Sequence, residues 1–218
     1  MSRLRTINIA ENLWNKYVID WEKEFGNIFW SKIDNFVGNN SYTIECCCGK
    51  GEFLVEKAGN FPSHKFIGID YDYDVLARAV KHTDKNNLKN IIYLYNDVNN
   101  IFKNFNKNLS FSLDKIYINF PDPWPKKRHW KRRVIQTSLL INIYKLMHRN
   151  TQLHIVTDHD GYARWIKNHL KKLDNLFKPK YTDWYTTDIN NLEPTTYMKK
   201  AIQKDHTINQ FIVEKISS

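Results

Sequence analysis

The stretch YTIECCCGKGEFLVEKAGNFPSHKFIGID, residues 42–70, decides how the rest of the chain folds. Tyr42–Cys47 has the length and apolar character of a strand buried on both faces. It runs through Cys48-Gly49-Lys50-Gly51-Glu52 into a helical pattern from about Phe53 to Gly59. His64–Asp70 is then a second strand, and it ends on an acid. Strand, glycine turn, helix and strand make one βαβ unit, whose crossover sets the two strands parallel.

Moving outward, the same alternation continues. Tyr73–His82 predicts a helix with Val75, Leu76, Ala79 and Val80 on one side, and Asn90–Tyr95 a third strand followed at once by Asn96-Asp97. Leu113–Asn119 is a fourth strand, Val134–Met147 an amphipathic helix, and Leu153–Thr157 a fifth strand ending at Asp158. Tyr162, Trp165, Ile166, His169, Leu170 and Leu173 give one more helix. The tail changes character: Phe177–Tyr185 predicts a strand, Thr195–Lys204 a short helix and Ile208–Lys215 an alternating strand, so the last pair adds an antiparallel edge. On the N-terminal side, Trp14, Tyr17, Val18, Trp21 and Phe25 predict one helix over Glu11–Phe25 after a loose basic arm. Gly38-Asn39-Asn40-Ser41 is turn composition. The expectation is an α/β fold: a mostly parallel, seven-stranded sheet over 41–218 with helices on both faces, an antiparallel C-terminal edge strand and an N-terminal extension over 1–40.

Composition narrows the class. At 218 residues with 42% hydrophobic content, one well-buried domain is possible and a second full domain would be cramped. Lys and Arg exceed Asp and Glu by 33 to 23, a net charge of +10. Six of those ten net charges lie in 126–133, leaving +4 elsewhere, and so local an excess points to a polyanion unless it is merely a solvated face. The three cysteines are contiguous, Cys46–Cys48. Neighbours on a strand point to opposite faces, so they cannot enclose a zinc ion, and an odd contiguous set is no disulfide framework. No metal is expected. No apolar run approaches a membrane span, and MSRLRTINIAENLW lacks the apolar segment of a signal peptide, so a cytoplasmic protein is expected, with no membrane partner.

In open α/β sheets, ligands bind beyond the carboxyl ends of the strands. Here those ends carry Glu45 with Gly49 and Gly51, then Asp70, Asp97, Asn119 to Asp122, and Asp158. Glycines after the first strand let backbone approach a ligand closely. Asp70 is placed to accept both hydroxyls of a ribose, and Asp97 to accept from an adenine amino group. That set fits an adenosine-containing cofactor. It does not fit NAD, because G-x-G-x-x-G is absent, nor a phosphate cradle, because acids crowd the site and no G-K-[ST] follows. The fourth strand leads into NFPDPWPKKRHWKRR, residues 119–133, where Asp122 sits between prolines and a basic, Trp-containing run follows. A carboxylate beside such a run points to chemistry on a nucleic acid; Pro-Asp-Pro also suits a tight turn for its own sake.

From about Tyr42 onward the chain resembles the bacterial tRNA (guanine-N7)-methyltransferases, S-adenosylmethionine enzymes with a Rossmann-like, seven-stranded fold. The resemblance is carried most specifically by Phe120-Pro121-Asp122-Pro123-Trp124-Pro125-Lys126-Lys127-Arg128-His129. Glu45 with Gly49-Lys50-Gly51, Phe66-Ile67-Gly68-Ile69-Asp70, Asn96-Asp97, Thr157-Asp158 and Thr195-Thr196-Tyr197-Met198-Lys199-Lys200 support it. It implies that Glu45, Asp70, Asp97 and Asp122 contact S-adenosyl-L-methionine. It also implies that Lys126, Asp158, Thr195, Thr196, Tyr197 and Met198 contact the guanosine, and that Arg128, His129, Trp130, Lys131, Arg132 and Arg133 hold tRNA. Three positions depart from the family pattern. Cys47 stands where the family has the first loop glycine, Asp70 replaces the commoner Glu, and Met198 stands where an acid is usual.

Guanine N7 has a lone pair and no proton, so transfer to it requires no general base. Asp122 is the expected catalytic group, stabilising the positive charge that develops on the purine. Trp130 suits either a base stack or a core anchor. Monomer and homodimer both remain open. Two other readings remain: methylation of an exocyclic amine of RNA or DNA, whose enzymes carry a strand-end Asn/Asp-Pro-Pro-aromatic turn, and a non-catalytic RNA-binding module that keeps the fold.

Overall fold

In the computed structural model, residues 7–24, 26–105, 113–190 and 196–216 are described. Along the chain come α1 (Glu11–Tyr17), β1 (Val18–Asp20), α2 (Asn27–Val37), β2 (Tyr42–Cys46), α3 (Glu52–Asn60), β3 (Lys65–Asp70), α4 (Tyr73–Lys85), β4 (Ile91–Tyr95) and α5 (Val98–Lys103). There follow β5 (Leu113–Asn119), a 3-10 helix (Lys127–Arg132), α6 (Thr137–Leu146), β6 (Gln152–Thr157), α7 (Asp160–Lys171), β7 (Phe177–Pro179), α8 (Thr196–Ile202) and β8 (Asn209–Lys215). Among the described residues there are eight strands, one more than expected. No described helix is long and apolar enough to cross a membrane.

The strands fall into two compact units. In the first, β1, β4, β3 and β2 lie side by side in that order, all parallel. Strands paired this way are covered on both faces, which is why β2 is buried at every position and β3 at every position after Lys65. Register sets the carboxyl ends level: Glu45 pairs with Gly68, and Asp70 with Tyr95. The buried Tyr93 of β4 dictates the glycine in β3. A Cβ on Gly68 would meet Tyr93 Cδ1 at 2.6 Å and Cys48 Sγ at 2.8 Å, so only glycine lets that ring lie across the neighbouring strand. The phenol finds its partner inside, 2.7 Å from Thr83 Oγ1.

The extra strand is β1, and it corrects the expected helix over Glu11–Phe25. The helix stops at Tyr17, where Val18 turns to φ −113° and ψ 132°. Trp14, Tyr17, Val18 and Trp21 do fit a helical face, but Ile19 does not. Tyr17 to Trp21 is buried throughout, the pattern of a strand covered on both sides, and β1 pairs with β4. Phe25 lies outside the described residues. The sequence expectation also passed over α2, whose Phe29, Trp30, Ile33 and Val37 are all buried. Burying each such side chain contributes about 1.5–3 kcal/mol of transfer free energy.

In the second unit the order is β5, β6, β8, β7; β5 and β6 are parallel, and β8 runs antiparallel to both of its neighbours. The antiparallel addition is as expected, with two differences. The edge position belongs to β7, with β8 inserted between it and β6. The strand expected over Phe177–Tyr185 is only Phe177–Pro179; the Lys180 N–H still donates to Ile212 O at 2.9 Å, and beyond it a lone bridge joins Thr186 to Gln210. At the carboxyl end of β5, Asn119 pairs with Val156, and the Phe120 N–H still donates to Val156 O at 2.8 Å. The turns that follow β5 and β6 therefore start side by side.

Candidate active site

The first unit supplies the acids and glycines predicted for a cofactor. Glu45 is buried on β2. In the loop that follows, Cys47, Gly49 and Gly51 all take left-handed φ, at 56°, 57° and 68°. Three such residues within five positions reverse the chain tightly, and the turn is closed by Gly51 N–H donating to Cys48 O at 3.0 Å. Cys47, at the position where the family has glycine, thus holds a backbone conformation that an L-residue adopts at a cost of about 1–2 kcal/mol. A Cβ on Gly49 would meet nothing within 4 Å, so the loop backbone is open there. On Gly51 it would meet Tyr93 Oη at 2.6 Å, so that glycine serves packing.

Asp70 is buried and bound to the loop: Gly49 N–H donates to Oδ2 at 3.0 Å and Asp72 N–H to Oδ1 at 3.1 Å. Burial pushes its carboxyl above the usual aspartate range, opposed by those backbone donors. With Tyr71 N–H a third backbone donor, the carboxylate keeps acceptor capacity for a ligand hydroxyl, so the acid both shapes the loop and remains an acceptor. Burial, and then neighbouring charges including Glu45, push the Cys46 and Cys48 thiols well up, so neither is a thiolate nucleophile. Asp97 is exposed just past β4, and its Oδ1 accepts from Asn99 N–H at 2.8 Å at the start of α5. The acceptors and the open glycine backbone fit an adenosine-containing group, with Asp70 and Asp97 available to its hydroxyls and amine.

The second unit holds the turn after β5. Phe120 and Trp124 have φ of 48° and 38° and flank Pro121-Asp122-Pro123. Bulky residues in this region are strained, and such strain persists only where surrounding contacts fix it. Asp122 is exposed at the tip. Past β6, Asp158 is largely buried and its Oδ2 lies 3.1 Å from His206 Nδ1. Tyr197 on α8 packs its ring 4.7 Å from that of Phe120. Partial burial, then the charge of Asp158 and a hydrogen bond with it, and then the charge of Asp122 raise the Tyr197 phenol, so both acids lie within electrostatic reach of one side chain. His206 was missed by sequence reasoning; an isolated tail histidine carries no motif to flag it.

Three expectations are corrected. Met198 is not a surface for guanine: it is buried, on the α8 face that also carries Ala201, and Ala201 packs with Val156 and Ile208. Thr195 and the Thr196 side chain lie outside the described residues. Arg133 is not a phosphate contact. It is 3% exposed, and its guanidinium lies over the rings of Trp130, Tyr162 and Trp165 at 4.8, 5.0 and 4.9 Å. Its Nε donates to Pro123 O at 2.8 Å. Trp130 faces the same group, sits edge-on to Trp165 at 5.4 Å, and is an anchor within the protein. The side chains of Lys126, Lys127, Arg128, Lys131 and Arg132 remain exposed, while His129 lies half-buried, edge-on to Trp124.

A family described as "Putative methyltransferase" matches residues 39–211. A tRNA (guanine-N(7)-)-methyltransferase of Wolbachia pipientis wMel is 30% identical over 96% of this chain and 88% of its own length. One from Clostridioides difficile is 31% identical over 94% of each. Among solved structures, SMU.1697c from Streptococcus mutans, described as "a putative methyltransferase" and in complex with SAH, superposes over 86% of this chain and 97% of its own with a TM-score of 0.52 at 13% identity, a likeness of fold. By the extent of these matches, and by the strand-end acids and the Pro-Asp-Pro turn described above, the chain belongs to the tRNA (guanine-N(7)-)-methyltransferase family.

Proposed function

We propose that this protein transfers a methyl group from S-adenosyl-L-methionine to N7 of guanine-46 in the variable loop of tRNA, in the cytoplasm. The observation that carries this reading is the second-unit cluster. Asp122 stands exposed on a strained, proline-braced turn, shares the surroundings of Tyr197 with Asp158, and is followed by an exposed basic 3-10 helix. The cofactor, when bound, supplies an electrophilic methyl on a sulfonium centre. Glu45, Asp70, Asp97 and the open backbone at Gly49 hold it, with Asp70 and Asp97 accepting from ribose and adenine. Asp158, fixed by His206, accepts from the guanine N–H edge, and Lys126 and Tyr197 border the nucleotide.

Because N7 carries no proton, the protein's work is alignment and charge stabilisation. Holding two reactants in line supplies several kcal/mol of the barrier. The Asp122 carboxylate, held beside the ring, stabilises the positive charge that the purine acquires, an effect of about 3–4 kcal/mol where a preorganised group is removed from comparable sites. Arg128, Lys131 and Arg132 contact phosphates, which makes tRNA binding fall steeply with salt.

The test is methylation of unmodified tRNA with the product nucleoside identified and mapped. N7-methylguanosine at position 46 is the expected product. A methyl group on an exocyclic amine would replace this reading with the exocyclic one, and a protein that neither binds the donor nor labels tRNA would be a binding module.

A further inference from the structure

We propose that Arg133 is a positioning residue for Asp122: it clamps the strained Phe120–Trp124 turn to α7 and so fixes the carboxylate for methyl transfer. The proposal rests on the catalytic reading of Asp122. Arg133 lies 11 positions past Asp122 at the end of a basic run, where sequence alone makes it one more phosphate contact. Its surroundings differ from those of its neighbours. Arg132 is exposed, with its guanidinium 5.0 Å above the Trp124 ring. Arg133 is buried against the rings of Trp130 and of Tyr162 and Trp165 of α7.

Its hydrogen bonds go to the turn itself. Nε donates to Pro123 O at 2.8 Å and an Nη to Trp124 O at 3.4 Å, so two adjacent carbonyls after Asp122 are gripped by one planar fork. Those two residues matter because Trp124 is left-handed at φ 38° and Pro123, with no N–H, cannot brace the turn by donating. The segment behind the arginine is fastened to the same helix: Trp165 Nε1 donates to Ile135 O at 2.8 Å, and Ile135 N–H donates to Tyr162 Oη at 3.3 Å. Since α7 begins two residues after Asp158, one guanidinium links the turn bearing Asp122 to the helix that follows Asp158. A lysine would keep the charge and lose the fork; a methionine would lose both.

The experiment is steady-state and binding analysis of Arg133→Lys, with Trp130→Leu as a milder second variant that removes the half-buried wall, alongside hydrogen exchange of peptides covering 119–126. In Arg133→Lys, kcat is expected to fall about 100-fold, the scale of a small misplacement of a reacting group, with KM for tRNA and for S-adenosylmethionine within about threefold. The salt slope of tRNA binding stays unchanged, and exchange in 119–126 speeds up while that of β6 does not. Trp130→Leu shows the same pattern, weaker. Combined with Asp122→Asn, the Arg133→Lys loss is not additive, because both act through one carboxylate. Wild-type kcat in Arg133→Lys, a salt slope reduced by about one, or fully additive losses would each overturn the proposal. Wild-type turnover in Asp122→Asn is a separate outcome: it removes Asp122 from the mechanism and with it this role for Arg133, even where the turn still loosens.

Discussion

Two turns at strand ends carry the proposed chemistry of this protein, and they are held in different ways. The loop after β2 reaches its left-handed conformations through Gly49 and Gly51, with only Cys47 strained, and it is pinned locally by Asp70 accepting from Gly49 N–H. The turn after β5 has no glycine. Phe120 and Trp124 are forced left-handed around Pro121-Asp122-Pro123, and the restraint comes from outside, through Arg133 and the aromatic side chains of α7. The first acid is buried and half-committed to structure; the second is exposed and braced at a distance. A ligand-binding loop can be built from glycine and one carboxylate, whereas a carboxylate that must face solvent on rigid backbone needs a tertiary clamp.

The comparison can be broken at several points, of diminishing size. Asp122→Ala should lower kcat by about 100- to 1,000-fold in a tritiated-methyl assay while tRNA affinity stays within a few-fold; turnover close to wild type would leave the second turn without its proposed purpose. Gly51→Ala places a Cβ 2.6 Å from Tyr93 Oη and 3.0 Å from Ala79 Cβ on a backbone with φ 68°, so urea unfolding should show a loss of about 2–3 kcal/mol. Gly49→Ala, with open space around it, should lose only about 1 kcal/mol; equal losses would mean that strain, not Tyr93, dominates the first loop. Arg128→Ala and Lys131→Ala, both exposed, should each flatten the salt dependence of tRNA binding by about one unit of slope, in contrast to Arg133. Cys47→Gly should gain about 1 kcal/mol, since glycine relieves the one strained residue of that loop.

The smallest effect concerns pH. His169, bonded through Nδ1 to Thr137 Oγ1 at 2.7 Å and packed 4.5 Å from Trp165, has its pKa lowered by burial, then by the charges of Lys172 and Arg133. A histidine whose folded pKa is depressed is bound more tightly to its proton in the unfolded chain. Its contribution is therefore intact above the unfolded pKa of 6.5 and is lost as pH falls below it. A His169→Gln variant should show a shallower loss of stability below that pH than the parent in parallel chemical-denaturation series. An identical slope would place the acid sensitivity elsewhere.

Periodicity and turn chemistry made the parallel core legible. Tyr42–Cys46, Lys65–Asp70 and Ile91–Tyr95 announce themselves as short apolar runs between turns, because strands buried on both faces need no alternation. The strand-end acids and the Pro-Asp-Pro turn were likewise visible, since each is a local residue type at a local position. Where several elements share a pattern, the sequence was ambiguous. Tyr17, Val18 and Trp21 fit a helical face as well as a strand, and the choice was made by β4, an edge open to a parallel partner.

Met198 and Arg133 mark the limit most clearly. One lies in a stretch matched to a substrate-binding motif and the other in a basic run, and by type and spacing each belongs with its neighbours. Only packing buried Met198 on the inner face of α8 and Arg133 under the rings of α7, because burial depends on which distant surfaces meet a side chain. The sequence by itself determined the strands of the parallel core, the acids at their ends and the glycine-free, proline-flanked turn around Asp122. The tertiary structure decided which cation is buried against that turn and which stay exposed, because burial is set by the helix that packs over the run.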